Sequence, residues 1–294
     1  MTITAPEHTA LLAMSGVGKS FGPVRALDSV TLSVKPGSVH CILGENGAGK
    51  STLCNSIYGT VSPDTGSMLL DGNEYRPRNP ADALQAGVAM VHQHFSLIPT
   101  MTVADNLLLG RGGFRPPRDR LATDLDRIAD SYGLQVDPKA TVSGLTVGAR
   151  QRVEIVKALL RDPQLILLDE PTAVLDGKEI DALIATCAAL TADGKSVVLI
   201  THKLGEVARA ADEATVLRGG TVVGGGRVSD VGMSTLLDLM LGDAEPLDRV
   251  VAPRSRRPAG GDAVLQIGGV RLTRADGSTA LDDVDLTVGR GEIV

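Results

Sequence analysis

The chain contains no tryptophan, and its three tyrosines and three phenylalanines make aromatics only 2% of 294 residues. The core must therefore be filled by aliphatic side chains, which the 43% hydrophobic content allows. Cysteine is scarce as well. Cys41, Cys54 and Cys187 are an odd number without C-x-x-C spacing, which speaks against a disulfide framework or a cysteine zinc site. Cys41 and Cys54 are expected to pack as small apolar groups. The chain lacks an uninterrupted apolar run of about 18 residues, the length a spanning helix needs, and a charged n-region followed by an apolar h-region. The expectation is a cytosolic protein that reaches a membrane only through a partner. Positive charge is also in deficit: 29 Lys and Arg against 35 Asp and Glu leave a net charge of −6. Nonspecific nucleic-acid binding rests on phosphate neutralisation, so no nucleic acid is expected as the main partner.

Glycine, by contrast, is plentiful, and its placement is informative. After the apolar run Cys41-Ile42-Leu43 come Gly44, Glu45, Asn46, Gly47, Ala48, Gly49, Lys50, Ser51 and Thr52. This is G-x-x-x-x-G-K-S, leaving a strand and opening a helix. The glycines let consecutive N–H groups curl inward onto phosphate oxygens, and the following helix directs its positive dipole end at the same anion. Lys50 can reach the β- and γ-phosphates, and the Ser51 hydroxyl can ligate Mg²⁺. The segment predicts a nucleoside triphosphate site, residues 44–52 forming the cradle.

Alternating apolar residues predict strands over 11–18 and 24–34, then a buried strand over 39–43. A helix follows over 50–58. A hairpin over 66–71 has Asp71-Gly72 as its turn. Next come a short helix over 80–86 and a strand over 88–91. From about 100 to 160 the pattern is helical, in 103–109, 121–132 and 147–160, with Gly112-Gly113 and Pro116-Pro117 separating the first two. Aliphatic strands at 165–168 and 196–200 read as buried parallel strands, joined by a crossover helix over 178–191. Strands alternating with helices predict an α/β layered core with a helical insertion.

Composition shifts over 243–263, where Pro246, Pro253, Pro258, Gly260, Gly261 and Arg254-Ser255-Arg256-Arg257 occur. This reads as a linker, its basic cluster a solvated stretch. Then the chain begins again. Ala26-Leu27-Asp28, Val30, Leu32, Val34 and Gly37 recur as Ala280-Leu281-Asp282, Val284, Leu286, Val288 and Gly291, at an offset of 254. Leu12, Gly16 and Val17 recur as Leu265, Gly269 and Val270, at an offset of 253. The domain expectation is thus a nucleotide-binding domain over 10–242, a linker over 243–263, and over 264–294 the truncated start of a second such domain, Val294 aligning with His40.

The strand Leu165-Ile166-Leu167-Leu168 ends in Asp169-Glu170. Asp169 can hold Mg²⁺ through its water shell, a hard cation wanting oxygen ligands, and Glu170 can polarise a water for attack on the γ-phosphate. The phosphate loop, Gln93, Leu145-Thr146-Val147-Gly148-Ala149, Leu168-Asp169-Glu170-Pro171-Thr172 and Thr201-His202 occur in the order and spacing of ABC-transporter ATPase subunits. The chain resembles that family over 11–242. Met90-Val91-His92-Gln93-His94-Phe95, Gln151 to Leu159 and Pro171 to Leu175 resemble the tandem-domain importers for simple sugars and nucleosides, the His-Gln-His-Phe wording tilting towards nucleosides.

The resemblance implies a P-loop NTPase of ABC ATPase type: α/β, with a mixed sheet core, an antiparallel β subdomain and a helical subdomain. It implies that Gln93 contacts metal and water and relays to a permease. His202 would hydrogen-bond the γ-phosphate, and Phe21 would stack on adenine, although a core phenylalanine is the competing reading. His40, His92 and His94 are structural by default. Thr146 and Gly148 would bind the γ-phosphate of a facing domain, although Val147 and Ala149 depart from Leu-Ser-Gly-Gly-Gln. Asp176 matches an aspartate that touches the facing domain.

The implied function is an ATP- and Mg²⁺-dependent hydrolase at the cytoplasmic membrane face, energising an importer. Its partners would be permease subunits, an external solute-binding protein and a second ATPase domain. The rival is a soluble tandem ATPase acting on ribosomes or DNA, which would carry a long charged interdomain arm. A small-molecule kinase would give the signature segment and His202 no purpose.

Overall fold

The structure, a computed structural model, describes residues 10–110, 118–242, 263–273 and 277–290. The chain divides into two units at the Gly242–Asp243 bond. The predicted break at Gly112-Gly113 and Pro116-Pro117, residues 243–262 of the linker expected over 243–263, and the chain's last four residues lie outside the described residues, while Ala263 opens a strand.

In the first unit, β1 (Leu12–Phe21) and β2 (Val24–Val34) form an antiparallel hairpin. β3 (Val39–Leu43), buried at every residue, runs through the glycine loop into α1 (Lys50–Ile57). β4 (Thr65–Leu70) and β5 (Asn73–Glu74) form the second hairpin. At its turn Asp71 (φ 48°) and Gly72 (φ 73°) are both left-handed, the twist a two-residue connection favours. α2 (Pro80–Gln85) starts on Asn79, whose side chain accepts from the Asp82 amide. There follow β6 (Val88–Val91), α3 (Val103–Leu108), α4 (Arg118–Tyr132), α5 (Val147–Leu159), β7 (Leu165–Asp169), α6 (Gly177–Ala192) and β8 (Ser196–Thr201). Beyond β8 the chain continues through α7 (Leu204–Ala210), β9 (Glu213–Arg218), β10 (Thr221–Arg227), α8 (Val228–Val231) and α9 (Met233–Leu241).

The central sheet has the order β10-β9-β3-β8-β7-β6. Its strands are parallel except β10, which returns antiparallel on β9. A separate antiparallel sheet has the order β2-β1-β4-β5. Side-chain alternation along the central strands divides the interior into two cores. Cys41 and Leu43 of β3, with Ile166 and Leu168 of β7, join the core built with the helical region and α6. Ile42, Leu165 and Leu167 point the other way, against Leu53 and Ile57 of α1 and against Leu12, Met14, Val17, Leu27, Val30 and Leu32 of the antiparallel sheet. β3, which delivers the chain into the glycine loop, is thus held between two packed layers. All three cysteines are free and buried, the packing role expected of Cys41 and Cys54.

Within the first unit, none of the elements after Ile200 was legible in the sequence. In β10 the run Gly224-Gly225-Gly226 erases any apolar alternation, yet Gly225 has a packing reason. At φ 148° an added Cβ would sit 2.2 Å from the Ala214 carbonyl oxygen of β9.

The second unit is a hairpin, β11 (Ala263–Thr273) with β12 (Thr279–Gly289). Leu265, Ile267, Val270 and Leu272 face Val288, Leu286, Val284 and Leu281. Those pairs match Leu12–Val34, Met14–Leu32, Val17–Val30 and Lys19–Leu27 of the first hairpin.

Candidate functional site

The glycine loop turns because two of its glycines do what other residues cannot. Gly44 has φ 157°, and a Cβ there would lie 2.4 Å from the Leu217 carbonyl oxygen. Gly49 has φ 104°, and its Cβ would lie 2.5 Å from the Ala26 carbonyl oxygen. The loop is tied from outside as well: the Gly220 amide donates to Ala48 O at 3.0 Å, and the Asp28 amide donates to Gly220 O at 2.8 Å. Nothing in the sequence marked Ala26, Leu217 and Gly220 for this role, because their contribution is backbone position.

At the start of α1 the first amides have no intrahelical acceptor, so they can serve an anion at the helix's positive end. Lys50 is buried at that start. Its Nζ donates to Gly44 O at 2.7 Å and Glu45 O at 2.9 Å, and lies 3.8 Å from Glu170 Oε1. Burial holds the Lys50 ammonium below its usual value, opposed by the negative charges of Glu170 and Asp169.

Three of the sequence-predicted residues converge on the carboxylate of a fourth, Glu170. Besides Lys50, Gln93 Nε2 donates to Glu170 Oε2 at 3.1 Å, and His202 Nδ1 lies 3.5 Å from Glu170 Oε1. Glu170 follows β7 with φ 45°, a left-handed conformation that costs a non-glycine residue of order 1–3 kcal/mol and clusters at functional sites. Its amide is held by Ile200 O at 3.1 Å. His202 is exposed rather than a core histidine.

Beside Glu170, Asp169 is buried, and its Oδ1 has no hydrogen-bond partner. Burial and the neighbouring Glu170 charge raise its pKa, while His92, Lys50 and a hydrogen bond with the Ser51 side chain lower it. An orphaned carboxylate oxygen beside a serine hydroxyl is a fitting half-shell for a hard divalent cation. Among the described residues no three His, Cys, Asp or Glu side chains cluster as a metal site, so the remaining ligands of such an ion would come from phosphate, water or Gln93.

His92, expected to be structural, packs edge-on to Tyr58 with centroids 5.7 Å apart and also acts electrostatically on Asp169. His40 is buried, its Nε2 2.9 Å from Thr215 Oγ1. Phe21 is 49% exposed, which removes the competing core reading. Lys19 Nζ lies 5.5 Å from its ring centroid.

The signature residues stand elsewhere. Thr146 caps α5, its hydroxyl accepting from the Ala149 amide at 3.2 Å. Gly148 is buried against α6, and a Cβ there would overlap Glu179 Oε1 at 1.8 Å. Asp176 caps α6 in a reciprocal box with Glu179. Their partners are Ala149 of α5 and Glu179 of α6 rather than residues of the phosphate loop.

Two further carboxylates were missed, because nothing in their spacing marks them. Glu154 of α5 accepts from the Ser96 amide at 2.5 Å, pinning the segment after Gln93. Glu206 of α7 accepts from two threonine hydroxyls beside the site.

The family described as ABC transporter matches residues 27–173. The glucose import ATP-binding protein of Haloferax volcanii is 43% identical over 96% of this chain and 56% of its own length. The ribose import ATP-binding protein of Streptomyces coelicolor is 41% identical over all of this chain and 55% of its own. The nucleoside import ATP-binding protein of Lactococcus lactis is 37% identical over 98% and 56%. The chain thus spans about half the length of these relatives. A nucleotide-free ATP-binding cassette from an ABC transporter is 27% identical with a TM-score of 0.70, covering 80% of this chain and 100% of the cassette. An ATP-binding cassette in its ADP conformation has a TM-score of 0.69 at 26% identity, over 83% of this chain and 99% of the cassette. On sequence and fold together, this chain belongs to the ABC transporter family.

Proposed function

We propose that the chain binds Mg-ATP in its first unit and hydrolyses it to energise an importer of simple sugars or nucleosides. The observation that carries this reading is the meeting of Lys50, Gln93 and His202 on Glu170, beside the Ser51–Asp169 pair. Each group has a task in phosphoryl transfer, where catalysis is mainly positioning and charge stabilisation. The amides of residues 44–52 and the Lys50 ammonium would hold the phosphates. Phe21 would stack on the base. Glu170 would orient the attacking water and take its proton, with His202 and Gln93 fixing the carboxylate's direction. Ser51, Asp169 and Gln93 would hold Mg²⁺, which supplies charge neutralisation at the phosphate oxygens.

Thr146 and Gly148 would complete the site of a facing ATPase domain, with Asp176 touching that domain. This fits the placement of Gly148 against Glu179 of α6, and of Thr146 at the start of α5, rather than at their own unit's phosphate loop. The matched register of β11–β12 supports reading 264–294 as the opening of such a second domain. The import names of the relatives support permease subunits and an external solute-binding protein as partners. No described helix is long and apolar enough to cross a membrane, consistent with a peripheral subunit at the cytoplasmic face.

Calorimetry and steady-state turnover test the site. Glu170→Gln should keep Mg-ATP affinity while turnover falls about 10²- to 10⁴-fold. Lys50→Ala should lose the affinity itself. Undiminished turnover in the first, or undiminished affinity in the second, removes the assignment. Co-purification with ribosomes or DNA instead of a permease would overturn the import reading.

A further inference from the structure

We propose that Glu206 is a positioning residue that clasps the ends of β7 and β8, so that Glu170 and His202 stay aimed at each other; the proposal rests on the reading of those two residues given above. The two strands run parallel and side by side, Asp169 pairing with Ile200. Pairing between β7 and β8 goes no further than this, save for the Glu170 amide donating to Ile200 O at 3.1 Å, and Thr201 is paired on its other side with Leu43 of β3. The chemistry lies one or two residues further on, where Glu170 is already in a left-handed conformation, and a side chain can tie the two ends directly.

Glu206 does so from the first turn of α7. Its Oε1 accepts from Thr172 Oγ1 at 2.5 Å, and its Oε2 accepts from Thr201 Oγ1 at 2.8 Å. Thr172 is two residues beyond Glu170, and Thr201 immediately precedes His202. Lys203 closes the clasp: its Nζ donates to Thr172 O at 2.9 Å and lies 3.4 Å from Glu206 Oε1, while its amide donates to Thr201 Oγ1 at 3.0 Å. Glu206 is 5% exposed, and Thr172 and Thr201 are buried too.

A carboxylate is costly to bury unless its oxygens are paired, and a buried ion pair is weak evidence of stabilisation, since apolar residues of similar volume often do as well. What the arrangement supplies is direction. Two hydroxyls and one ammonium, each bonded through one carboxylate, fix two loop starts relative to each other.

The test uses the full chain and compares kcat, KM, calorimetric Mg-ATP affinity and melting temperature. A displacement of about 1 Å at reacting groups can cost about a hundredfold in rate, so Glu206→Ala should lower kcat about tenfold to a hundredfold. The affinity should stay within about twofold, because the phosphate loop is untouched. In a His202→Ala background the same substitution should cost far less, since the group it aims is gone. Thr172→Val, which removes one hydroxyl at similar volume, should lower kcat in the same sense and carries the test should Glu206→Ala not fold. A folded variant with full kcat overturns the clasp, as does a loss of affinity equal to the loss of rate, or additivity with His202→Ala. Wild-type chain that takes up no Mg-ATP refutes the reading of the site itself; wild-type turnover with undiminished kcat in Thr172→Val refutes only the clasp.

Discussion

The hairpins β1–β2 and β11–β12 follow one local code and meet different fates. Both place a left-handed glycine in the first strand, Gly16 at φ 60° and Gly269 at φ 58°. Both answer it with a left-handed non-glycine residue in the second, Ser29 and Asp283, each at φ 53°. The glycine amide is capped across the pair in each, by Thr31 Oγ1 at 3.2 Å and by Asp285 Oδ1 at 2.7 Å. Offsets of 253 and 254 map every one of these partners onto its counterpart. Yet Leu12, Val17, Leu27, Val30 and Val34 are fully buried in the first unit, whereas Leu265, Leu272, Leu281 and Val284 are exposed in the second. Register and bulge are therefore written in the two strands themselves, while stability comes from what covers them. A lone two-stranded hairpin is marginal in water, and the first is packed against α1 and the central sheet.

Truncation at matched positions breaks the comparison most strongly. Leu12→Ala should destabilise the first unit by about 2–5 kcal/mol, the range for core leucines. Leu265→Ala, at the same register position but 47% exposed, should stay within about 0.5 kcal/mol. Thermal melts of the first unit and amide exchange in the hairpin measure the two. Equal costs would mean that Leu265 is buried in solution.

Acid should separate the units next, because among the described residues the buried titrating groups lie in the first. His40 of β3 is 4% exposed; desolvation lowers its pKa to about 4, opposed by the Glu213 charge and reinforced by Lys35. The unfolded chain takes up this proton near pH 6.5 and the folded chain only near 4. Its contribution is thus complete above 6.5 and is lost as the pH falls through the folded value, about 3 kcal/mol in all. Asp169 works in the opposite sense. Burial raises its pKa, so the cost of holding it ionised is relieved by acid. Melting temperature against pH should slope less in His40→Gln than in wild type between pH 6.5 and 4. Parallel curves would place the proton uptake on another group.

The same contrast explains what the sequence made legible. Side chains in a fixed order, such as Lys50, Ser51, Asp169, Glu170 and His202, could be named as one candidate site from the chain alone, and strands marked by unbroken aliphatic runs could be placed. Contributions made by backbone could not. The Ala26 and Leu217 carbonyls that demand Gly49 and Gly44 belong to residues that any apolar side chain could replace. Glu206 and Glu154 escaped because a buried carboxylate on a short amphipathic helix has the same spacing as a solvated one. β10 escaped because its three consecutive glycines leave no period to read.

Phe21 sharpens the comparison on the side of function. It ends β1, where the second copy has Arg274, a residue outside the described ones. Phe21→Ala should weaken Mg-ATP binding by about 1 kcal/mol, roughly fivefold. Its half-exposed ring contributes little to the fold, so the melting temperature should hold. Titration calorimetry beside a thermal melt checks both. A lowered melting temperature with unchanged affinity would return Phe21 to a packing role.

The smallest effect tests the shared code itself. A Cβ on Gly16 would meet Ser29 Oγ at 3.6 Å, and a Cβ on Gly269 would meet Asp283 Oδ1 at 3.6 Å. Both are ordinary contacts, so space does not forbid alanine at either place. What opposes it is the left-handed backbone, at about 1 kcal/mol for an L-residue. Gly16→Ala and Gly269→Ala should therefore carry the same local penalty in spite of the difference in burial. In the first unit it should appear as a drop of a few degrees in melting temperature. In the second it should appear as faster exchange of the residue 269 amide, which donates to Asp285. An alanine that costs nothing at 269 while costing the full amount at 16 would show that the second bulge relaxes in solution, and that its shape, like its stability, needs a covering layer.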